Sequence, residues 1–362
     1  MNSHASDSRR VWRDPRACAL LGMGFALPGE PLATEALLAR MEDNFGIDVR
    51  RAGTAVARKL RINSRHLCRD LRRRHERPRA GENNAALAAR AVHTALQQAG
   101  VRVSDLSYLI GHTCSPGQAV PPNIAEVADL LGYAGPYMEL RQACTGFANA
   151  LIAARGLLAA DDCGPVAIVG SETGSVFFDP ARAAEDHGQL VNLLQMGDAA
   201  GACIIANDAR AGAGTLSHVY FGQRGGERRP GFTLAAGGSD VALSELSNQE
   251  YSHDFAAVRA GGPELFELGI AAARSMGIDP KRVDRIIPHQ VSGRIAEQLA
   301  PYLGLTPAQL FVNADHCGNT GSAAIWLALA ELRPQLPRGS RVLVLGAEAT
   351  KYMYGGFLYV HG

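Results

Sequence analysis

Apolar runs of strand length alternate with amphipathic stretches of helical periodicity along the chain. The run over 17–27 is typical of a first buried strand, and the Ala-rich stretch over 83–99 is typical of an amphipathic helix that ends at Gly100. This alternation predicts an α/β fold. Residues 1–16 are polar and are predicted to form a disordered N-terminal tail.

The same patterns predict the other elements of the chain. Further strands are predicted over 105–113, 166–170, 201–206 and 285–288, and further helices over 32–45, 123–131, 256–276 and 292–303. A loop is predicted over 175–195, and Gly-rich turns are predicted over 211–240. The segment 50–79 is predicted to be helical in part.

The most apolar predicted helix follows Cys144. Phe147, Leu151, Ala154 and Leu158 recur there at helical spacing, and nearly all other positions are Ala, Leu or Ile, so the helix is predicted to be buried. A cysteine at a helix N-terminus faces backbone N–H groups and the positive end of the helix dipole, and both favour the thiolate. Cys144 is therefore a candidate nucleophile, with a small inert core residue as the alternative.

Three short patterns recur at nearly constant spacing. They are HTCS at 112–115 and HQVS at 289–292, TG at 145–146 and 320–321, and GSE at 170–172 and GAE at 346–348. The offsets are 177, 175 and 176 residues. Such a repeat predicts two halves of similar fold, over 17–210 and 211–362, with equivalent strand ends and helix starts meeting at a shared interface.

Two further side chains lie at such junctions between strand and helix. His289 lies in IIPHQVS at the end of a predicted strand, and Asn319 lies in HCGNTGSAAIW before an apolar helix. Each alone is typical of a structural residue, a core histidine or a turn asparagine. Together with Cys144 they supply a nucleophile, a base or donor, and an amide donor, which is the set that covalent acyl chemistry needs.

Composition and cysteine usage exclude several classes of protein. Hydrophobic residues make up 47% of the chain, which allows a sizeable core. The seven cysteines are an odd number and no pair has C-x-x-C spacing, so we expect no disulfide framework and no metal site. No apolar run has the length of a membrane-spanning helix, and Arg13, Asp14 and Arg16 argue against an export signal after Arg9 and Arg10. We expect a soluble, cytoplasmic protein without a membrane partner.

Positive charge is concentrated in one segment of a chain whose net charge is only +1. Residues 50–79 carry 12 of the 36 basic residues and two acidic ones, a segment charge of +10 against −9 elsewhere. The segment contains the run Arg72, Arg73 and Arg74. Such a patch predicts an anionic partner, with a solvated basic face as the alternative. No recognition motif accompanies it, so we do not expect nucleic-acid binding.

Six motifs in order along 17–362 resemble one protein family. They are ACTGF around Cys144, GSE at 170–172, MGDAAGA at 196–202, PHQ at 288–290, GNTGSAA at 318–324 and YGG at 354–356. The sequence resembles the thiolase superfamily of condensing enzymes, and most of all its β-ketoacyl-acyl-carrier-protein synthase III branch. The resemblance implies a five-layered αβαβα fold, a homodimer, and Cys144, His289 and Asn319 as catalytic triad.

The resemblance also implies a reaction. Cys144 would take an acyl group from a thioester of coenzyme A or of an acyl-carrier protein, with the backbone N–H groups of Cys144 and Thr350 holding the oxyanion. His289 and Asn319 would stabilise the enolate formed when a malonyl-type thioester loses carbon dioxide. No cofactor is expected beyond these coenzyme A or phosphopantetheine thioesters. The basic run at Arg72, Arg73 and Arg74 would bind the substrate phosphates or the carrier protein.

Two departures from the family pattern concern substrate binding. Residues 44–66 lack the family's tryptophan-containing coenzyme A signature, and Glu348-Ala349-Thr350-Lys351 replaces a Gly-rich turn. Both favour a role in specialised lipid or polyketide biosynthesis. An acyltransferase that passes the acyl group to an alcohol or amine, and a non-catalytic partner subunit of a condensing heterodimer, remain as alternatives. A papain-like protease shares the Cys, His, Asn order, but its flanking motif is absent around Cys144.

Overall fold

The structure is a computed structural model that describes residues 11–74, 76–208, 210–235 and 250–362. The strands in these ranges are β1 (Val11–Asp14), β2 (Cys18–Ala26), β3 (Leu32–Ala33), β4 (Ser64–Arg65), β5 (Tyr108–His112), β6 (Tyr137–Leu140), β7 (Val166–Glu172), β8 (Ala199–Ala206), β9 (Gly214–Gln223), β10 (Phe232–Ala235), β11 (Glu250–His253), β12 (Arg285–Pro288), β13 (Arg341–Glu348) and β14 (Met353–Val360). The helices are α1 (Thr34–Phe45), α2 (Arg50–Leu60), α3 (Asn84–Ala99), α4 (Asn123–Leu131), α5 (Gly146–Leu157), α6 (Arg182–Glu185), α7 (His187–Gln195), α8 (Phe255–Ser275), α9 (Ile295–Leu303), α10 (Ala314–Cys317) and α11 (Ala324–Leu332).

The main sheet has the same strand pattern in each half of the chain. Its order is β12-β13-β14-β9-β2-β8-β7-β5-β6, with β1 added beside β9. The sequence β2, β8, β7, β5 matches β9, β14, β13, β12, because the first two pairings in each set are antiparallel and the third is parallel. β6 runs parallel to β5, and a parallel bridge from Ile286 to Leu310 lies beside β12 in the equivalent place. The two halves are therefore pseudo-symmetric.

Helices cover both faces of the sheet in each half and complete five layers. Alternation along β7 directs Val166 and Ile168 toward α5 and α11, while Ala167 and Val169 face α3 and α4. In the other half, the same alternation along β13 separates a central cluster from one that packs on α8 and α9. α5 and α11 lie between the two halves, where the rings of Phe147 and Trp326 meet edge to face at 6.1 Å. This is the thiolase-like αβαβα arrangement expected from the sequence.

Most of the predicted elements are confirmed, with bounds that differ by a few residues. α4 and β12 have the predicted bounds, and α3, α8 and α9 begin or end within three residues of the prediction. The predicted division at 210 and 211 falls in the connection between β8 and β9. It stays a prediction as a domain boundary. Among the described residues, no helix is both long enough and apolar enough to cross a membrane.

The structure corrects three predictions for the connecting segments. Residues 1–10 of the predicted disordered tail lie outside the described residues, but Val11–Asp14 is a strand, so disorder is the wrong prediction there. Its stability comes from pairing with β9 and from the 2.8 Å ion pair of Asp14 with Arg155, neither of which is visible in the local sequence. The stretch predicted as Gly-rich turns contains β9, and the predicted loop contains α7. Residues 236–240 of that stretch lie outside the described residues.

Two glycines of β2 allow α3 to pack directly on the backbone of the sheet. A Cβ atom on Gly22 would lie 2.3 Å from the Ala95 carbonyl oxygen, and one on Gly24 would lie 2.4 Å from that of Ala91. The Ala-rich sequence of α3 is suited to this close approach. Contact between helix backbone and strand backbone thus fixes the outer layer of the first half.

We predict that Gly24→Ala destabilises the protein and that Gly156→Ala does not. A methyl group at position 24 would overlap the backbone of α3, at a typical cost of about 1–3 kcal/mol. Gly156 is an exposed position of α5 with open space around its Cα, so alanine there should stabilise by about 0.5–1 kcal/mol. Urea unfolding of both variants measures the difference. An equal midpoint for Gly24→Ala and the parent protein would contradict the close packing.

Candidate active site

Cys144 lies in the turn between β6 and α5, immediately before the helix N-cap residue Thr145. Helix α5 is held in the core by its apolar positions, so the turn cannot move away from the protein interior. Gly146 packs against the buried ring of His112, at a distance that leaves no room for a side chain. The sequence prediction of a buried helix that begins just after Cys144 is confirmed.

His289 directly follows β12 and is 4% exposed. Its backbone N–H donates to the Leu345 carbonyl at 2.7 Å, which extends the pairing of β12 with β13 by one residue. Its Nδ1 is buried and has no hydrogen-bond partner among the described residues. Burial lowers the pKa of His289 to about 4, so the imidazole is neutral at pH 7 and can accept a proton.

Asn319 lies between α10 and the short 3₁₀ turn that precedes α11. Its N–H donates to the Gln195 carbonyl at 2.8 Å, and its carbonyl accepts from the Gly197 N–H at 3.0 Å, so the backbone is clamped to the end of α7. Its side-chain Oδ1 accepts from the Gly321 N–H at 3.1 Å. This leaves the NH₂ group as the end of the side chain that can donate to a ligand.

The three turns lie at the same edge of the central layer. Ser322, three residues after Asn319, donates its hydroxyl to the Gln142 carbonyl at 3.4 Å, close to Cys144. His289 extends from β12, and the neighbouring strand β13 ends against Thr145. The structure therefore places the three predicted site residues on turns that meet at one end of α5 and α11. Their catalytic roles stay predictions.

Two buried glutamates adjoin these turns and were not among the predicted site residues. Glu348, at the end of β13, accepts from the Thr145 N–H at 2.8 Å and from its hydroxyl at 2.7 Å. Glu172, at the end of β7, accepts from the Ser322 N–H at 3.3 Å and from its hydroxyl at 2.7 Å. The repeated GSE and GAE motifs carried this signal, because they place both glutamates at equivalent strand ends.

These surroundings oppose the thiolate that the sequence predicts for Cys144. Burial raises the pKa of Cys144 well above its usual value, and the negative charges of Glu348 and then Glu172 raise it further. Desolvation and the nearby carboxylates thus act against the dipole of the helix, and the thiolate favoured by the helix position stays a prediction. The same burial favours the neutral thiol of Cys144 and the neutral imidazole of His289.

Two backbone donors at the site have no acceptor on another residue. Within the described parts of the chain, the Thr350 N–H has no acceptor, and the Cys144 N–H has none beyond its own sulfur. The Thr350 hydroxyl donates to Glu348, which holds the turn after β13. Free N–H groups in a partly buried site are what an oxyanion requires. The available N–H groups support the prediction that these two residues form an oxyanion hole, which stays a prediction.

The basic segment is less exposed than its composition suggests. Arg65 and Arg69 are buried and donate to backbone carbonyls, and burial lowers the pKa of Arg65 to about 10. Arg74 forms an ion pair with Asp179, and Arg72 lies 3.6 Å from Asp70. The assumption that all twelve basic residues form one surface patch is thus wrong. Exposed basic residues for which the structure records no ion pair are Arg51, Arg58, Lys59, Arg73 and Arg77.

One cluster of potential metal ligands lies near the Asn319 turn, although no metal site is expected from the sequence. His316, Cys317 and Glu331 place their ligating atoms within 4.8 Å of one another. Hydrogen bonding with Cys317, and then with Glu331, raises the pKa of His316 to about 11. A protonated imidazole beside carboxylates is an ion-pair network, and protons at this site compete with any metal.

Comparison with known proteins gives two matching family models. The 3-oxoacyl-[acyl-carrier-protein] synthase III model matches residues 138–225, which include Cys144. The model of the C-terminal part of 3-oxoacyl-[acyl-carrier-protein] synthase III matches residues 273–358, which include His289 and Asn319.

Three similar proteins match most of the chain. β-Ketoacyl-[acyl-carrier-protein] synthase III of Rhodospirillum centenum is 27% identical, with 95% of this chain and 98% of the relative covered. The enzyme of the same name from Oleidesulfovibrio alaskensis is 30% identical, with 73% and 80% covered. The solved structure of AbyA1, a tetronic acid condensing enzyme, is 26% identical, with a TM-score of 0.79 and 95% and 100% covered.

We predict that alkylation of Cys144 by iodoacetamide is slow at neutral pH and accelerates as the pH rises beyond the usual range for a thiol. The thiolate is the reactive form, and burial together with the two carboxylates raises the pKa of Cys144. Peptide mass spectrometry measures labelling of this cysteine against pH, with Cys144→Ala as the control for peptide assignment. A reaction rate that is already constant below pH 7 would contradict the raised pKa.

Proposed function

Since the chain belongs to the β-ketoacyl-acyl-carrier-protein synthase III family of condensing enzymes, we propose that it joins a Cys144-bound acyl group to a malonyl-type thioester by decarboxylative Claisen condensation. The observation that carries this proposal is the orientation of Asn319. Its Oδ1 is occupied by the Gly321 N–H, so its NH₂ group is available to a substrate carbonyl. A plain acyl transfer needs a nucleophile and a base but has no enolate for this donor to stabilise.

In the first half-reaction, the Cys144 sulfur attacks the carbonyl carbon of an acyl thioester. His289 takes the thiol proton, because its imidazole is neutral at pH 7. The carbonyl oxygen becomes an oxyanion that the N–H groups of Cys144 and Thr350 stabilise. Collapse of the tetrahedral intermediate breaks the bond to the leaving thiol, which receives the proton from His289. The product is an acyl-Cys144 enzyme and a free thiol.

In the second half-reaction, the malonyl-type thioester loses carbon dioxide. The electron pair of the broken C–C bond becomes an enolate, and hydrogen bonds from His289 and Asn319 to its oxygen stabilise the charge. The enolate carbon attacks the acyl carbonyl and forms the new C–C bond. Cys144 leaves as a thiolate and takes up a proton from the solvent. The product is a β-ketoacyl thioester.

We place the proposed substrates on coenzyme A or on an acyl-carrier protein, whose phosphates or acidic surface would meet the basic segment. That segment borders the site, because the Leu60 carbonyl accepts from the Gly293 N–H at 2.9 Å, four residues after His289. The Asn63 N–H donates to Asp315 at 2.6 Å on the other side, near Asn319. The likeness over nearly the whole chain to AbyA1, a tetronic acid condensing enzyme, supports a condensing role outside primary metabolism. We place this role in specialised lipid or polyketide biosynthesis and expect a homodimer, as the family resemblance implies.

We expect Asn319→Ala to spare acylation of Cys144 and to slow condensation. Loss of one preorganised donor to a developing oxyanion typically costs on the order of 100- to 1000-fold in rate. Single-turnover acylation is followed by intact mass, beside carbon dioxide release from labelled malonyl thioester. Asn207→Ala is the matched control. Asn207 directly follows β8, away from the site, and its side-chain NH₂ group donates to the Leu158 carbonyl.

Three outcomes would contradict the condensing mechanism. Condensation by Asn319→Ala at the parent rate would show that the amide has no role in the enolate step. Acylation of an alcohol or amine, with no decarboxylation of any malonyl thioester, would replace the proposal by the acyltransferase alternative. A parent protein that accepts no acyl group at all would favour a non-catalytic partner subunit.

We expect the double variant Arg58→Glu and Arg73→Glu to weaken binding of the acyl donor and to reduce the salt dependence of its apparent affinity. Both side chains are exposed, and exposed charges are screened over about 8 Å at physiological ionic strength. Arg282→Glu with Arg338→Glu is the matched control, because these exposed arginines precede β12 and β13 at the opposite end of the strands from the site. Equal affinity and equal salt dependence for both double variants would make the segment a plain solvated surface.

A further inference from the structure

We propose that Glu348 is a positioning residue for the nucleophile: its hydrogen bonds to Thr145 hold the Cys144 turn in place, and its carboxylate sets the electrostatic environment of Cys144. The proposal concerns the same site as the proposed function. It rests on that function only where the acylation measurement is interpreted. It assigns a role to a glutamate that stands where the resemblance leads one to expect a Gly-rich turn.

The first support is the geometry of the Glu348 carboxylate. The residue is 2% exposed, and one oxygen, Oε2, accepts from both the N–H and the hydroxyl of Thr145. The other oxygen accepts from the Thr350 hydroxyl. Thr145 is the N-cap of α5, where backbone N–H groups have no partner within the helix. The carboxylate therefore satisfies the start of a buried helix and restrains the residue bonded to Cys144.

The second support is that an equivalent contact exists in the other half. Glu172 accepts from the N–H and the hydroxyl of Ser322, at the start of the turn that leads into α11. Glu172 lies in the first half and holds a helix of the second, whereas Glu348 lies in the second half and holds a helix of the first. The pair is reciprocal. One glutamate restrains the Cys144 turn, and the other restrains the Asn319 turn.

Glycines two residues before each glutamate make this approach possible. A Cβ on Gly170 would lie 2.3 Å from the Ser322 carbonyl oxygen, and one on Gly346 would lie 2.6 Å from the Phe147 ring. Each strand thus passes against the first turn of the opposite central helix, and its glutamate reaches the N–H groups beyond. The repeated Gly-x-Glu pattern has a physical reason in both halves.

The third support is the set of titratable groups around Cys144. Glu348 faces it from β13 and Glu172 from β7, while Cys114 follows β5 and His289 follows β12. Beneath the turn, burial lowers the pKa of His112 to about 3, so this ring is neutral. Burial also raises the pKa of Glu172, although its hydrogen bonds from Ser115 and Ser322 oppose that shift. Among the carboxylates that raise the pKa of Cys144, Glu348 contributes more than Glu172.

Two substitutions separate the two parts of the proposal. Glu348→Gln keeps an oxygen acceptor of the same reach but removes the charge. Glu348→Asp keeps the charge but withdraws the carboxylate from Thr145 by one methylene. Glu331→Gln is the matched control, since Glu331 is a partly buried glutamate that contacts Asn313 and lies outside the Cys144 turn.

The experiment measures iodoacetamide labelling of Cys144 against pH in the full chain, together with single-turnover acylation. We expect Glu348→Gln to label about tenfold faster than the parent at a pH below the inflection, a displacement on the order of one pH unit. Glu348→Asp should keep the parent pH profile but acylate at least about tenfold more slowly, because a displaced nucleophile loses its alignment. Glu331→Gln should match the parent in both measurements.

An unchanged pH profile for Glu348→Gln would overturn the electrostatic part, and parent-like acylation by Glu348→Asp would overturn the positioning part. Should Glu348→Gln fail to fold, the Glu348→Asp arm still decides whether the residue positions Cys144. The labelling assay needs no acyl substrate. Failure of the parent to accept any acyl thioester would therefore count against the proposed condensation, while the labelling arm would still decide the role of Glu348.

Discussion

The constraint on which this structure depends is that two helices begin inside the protein. α5 and α11 lie between the two halves of the sheet, so the N–H groups at their first turns cannot be left to water. Each start is satisfied by a glutamate from a strand of the opposite half, with acceptor distances of 2.7 to 3.3 Å. The same turns carry Cys144 and Asn319. The contacts that satisfy the N–H groups at the helix starts therefore also position Cys144 and Asn319.

The sequence predicted those features that depend on local pattern or on the repeat. Apolar periodicity predicted the buried helix after Cys144 and the strand that ends before His289. The repeated motifs predicted the pseudo-symmetry of the two halves. The local sequence did not predict β1, because its strand conformation depends on β9 and on Arg155, which are more than 140 residues away. Arg155 itself interrupts an otherwise apolar helix for this reason. Its guanidinium is buried against Asp14.

The sequence predicted which residues form the candidate site, but it did not predict the electrostatic environment around them. Helix position alone favours a thiolate, and that argument holds for an exposed helix start. Here the strand-end glutamates approach from the opposite half, and their contact depends on Gly170 and Gly346, whose role only the packing reveals. In the same way, Arg65 and Arg69 count as surface charge in the sequence but are buried against Leu194 and Phe178 in the structure. Burial, which no local pattern specifies for a polar residue, decides both cases.

A neutral thiol beside a neutral imidazole has a consequence for the proposed reaction. Proton transfer from a group with a raised pKa to one with a lowered pKa is uphill, by about 1.36 kcal/mol for each unit of difference. Little thiolate is therefore expected in the resting site, and slow reaction with oxidants and alkylating agents is expected with it, because the thiolate is the reactive form. In the proposed mechanism, attack becomes favourable when a thioester carbonyl lies against the N–H groups of Cys144 and Thr350. The charge then appears on an oxygen that has donors rather than on a sulfur that faces carboxylates. In such a site the negative charge of the reaction forms on the carbonyl oxygen of the bound substrate. The reactivity of Cys144 therefore depends on substrate binding through electrostatics.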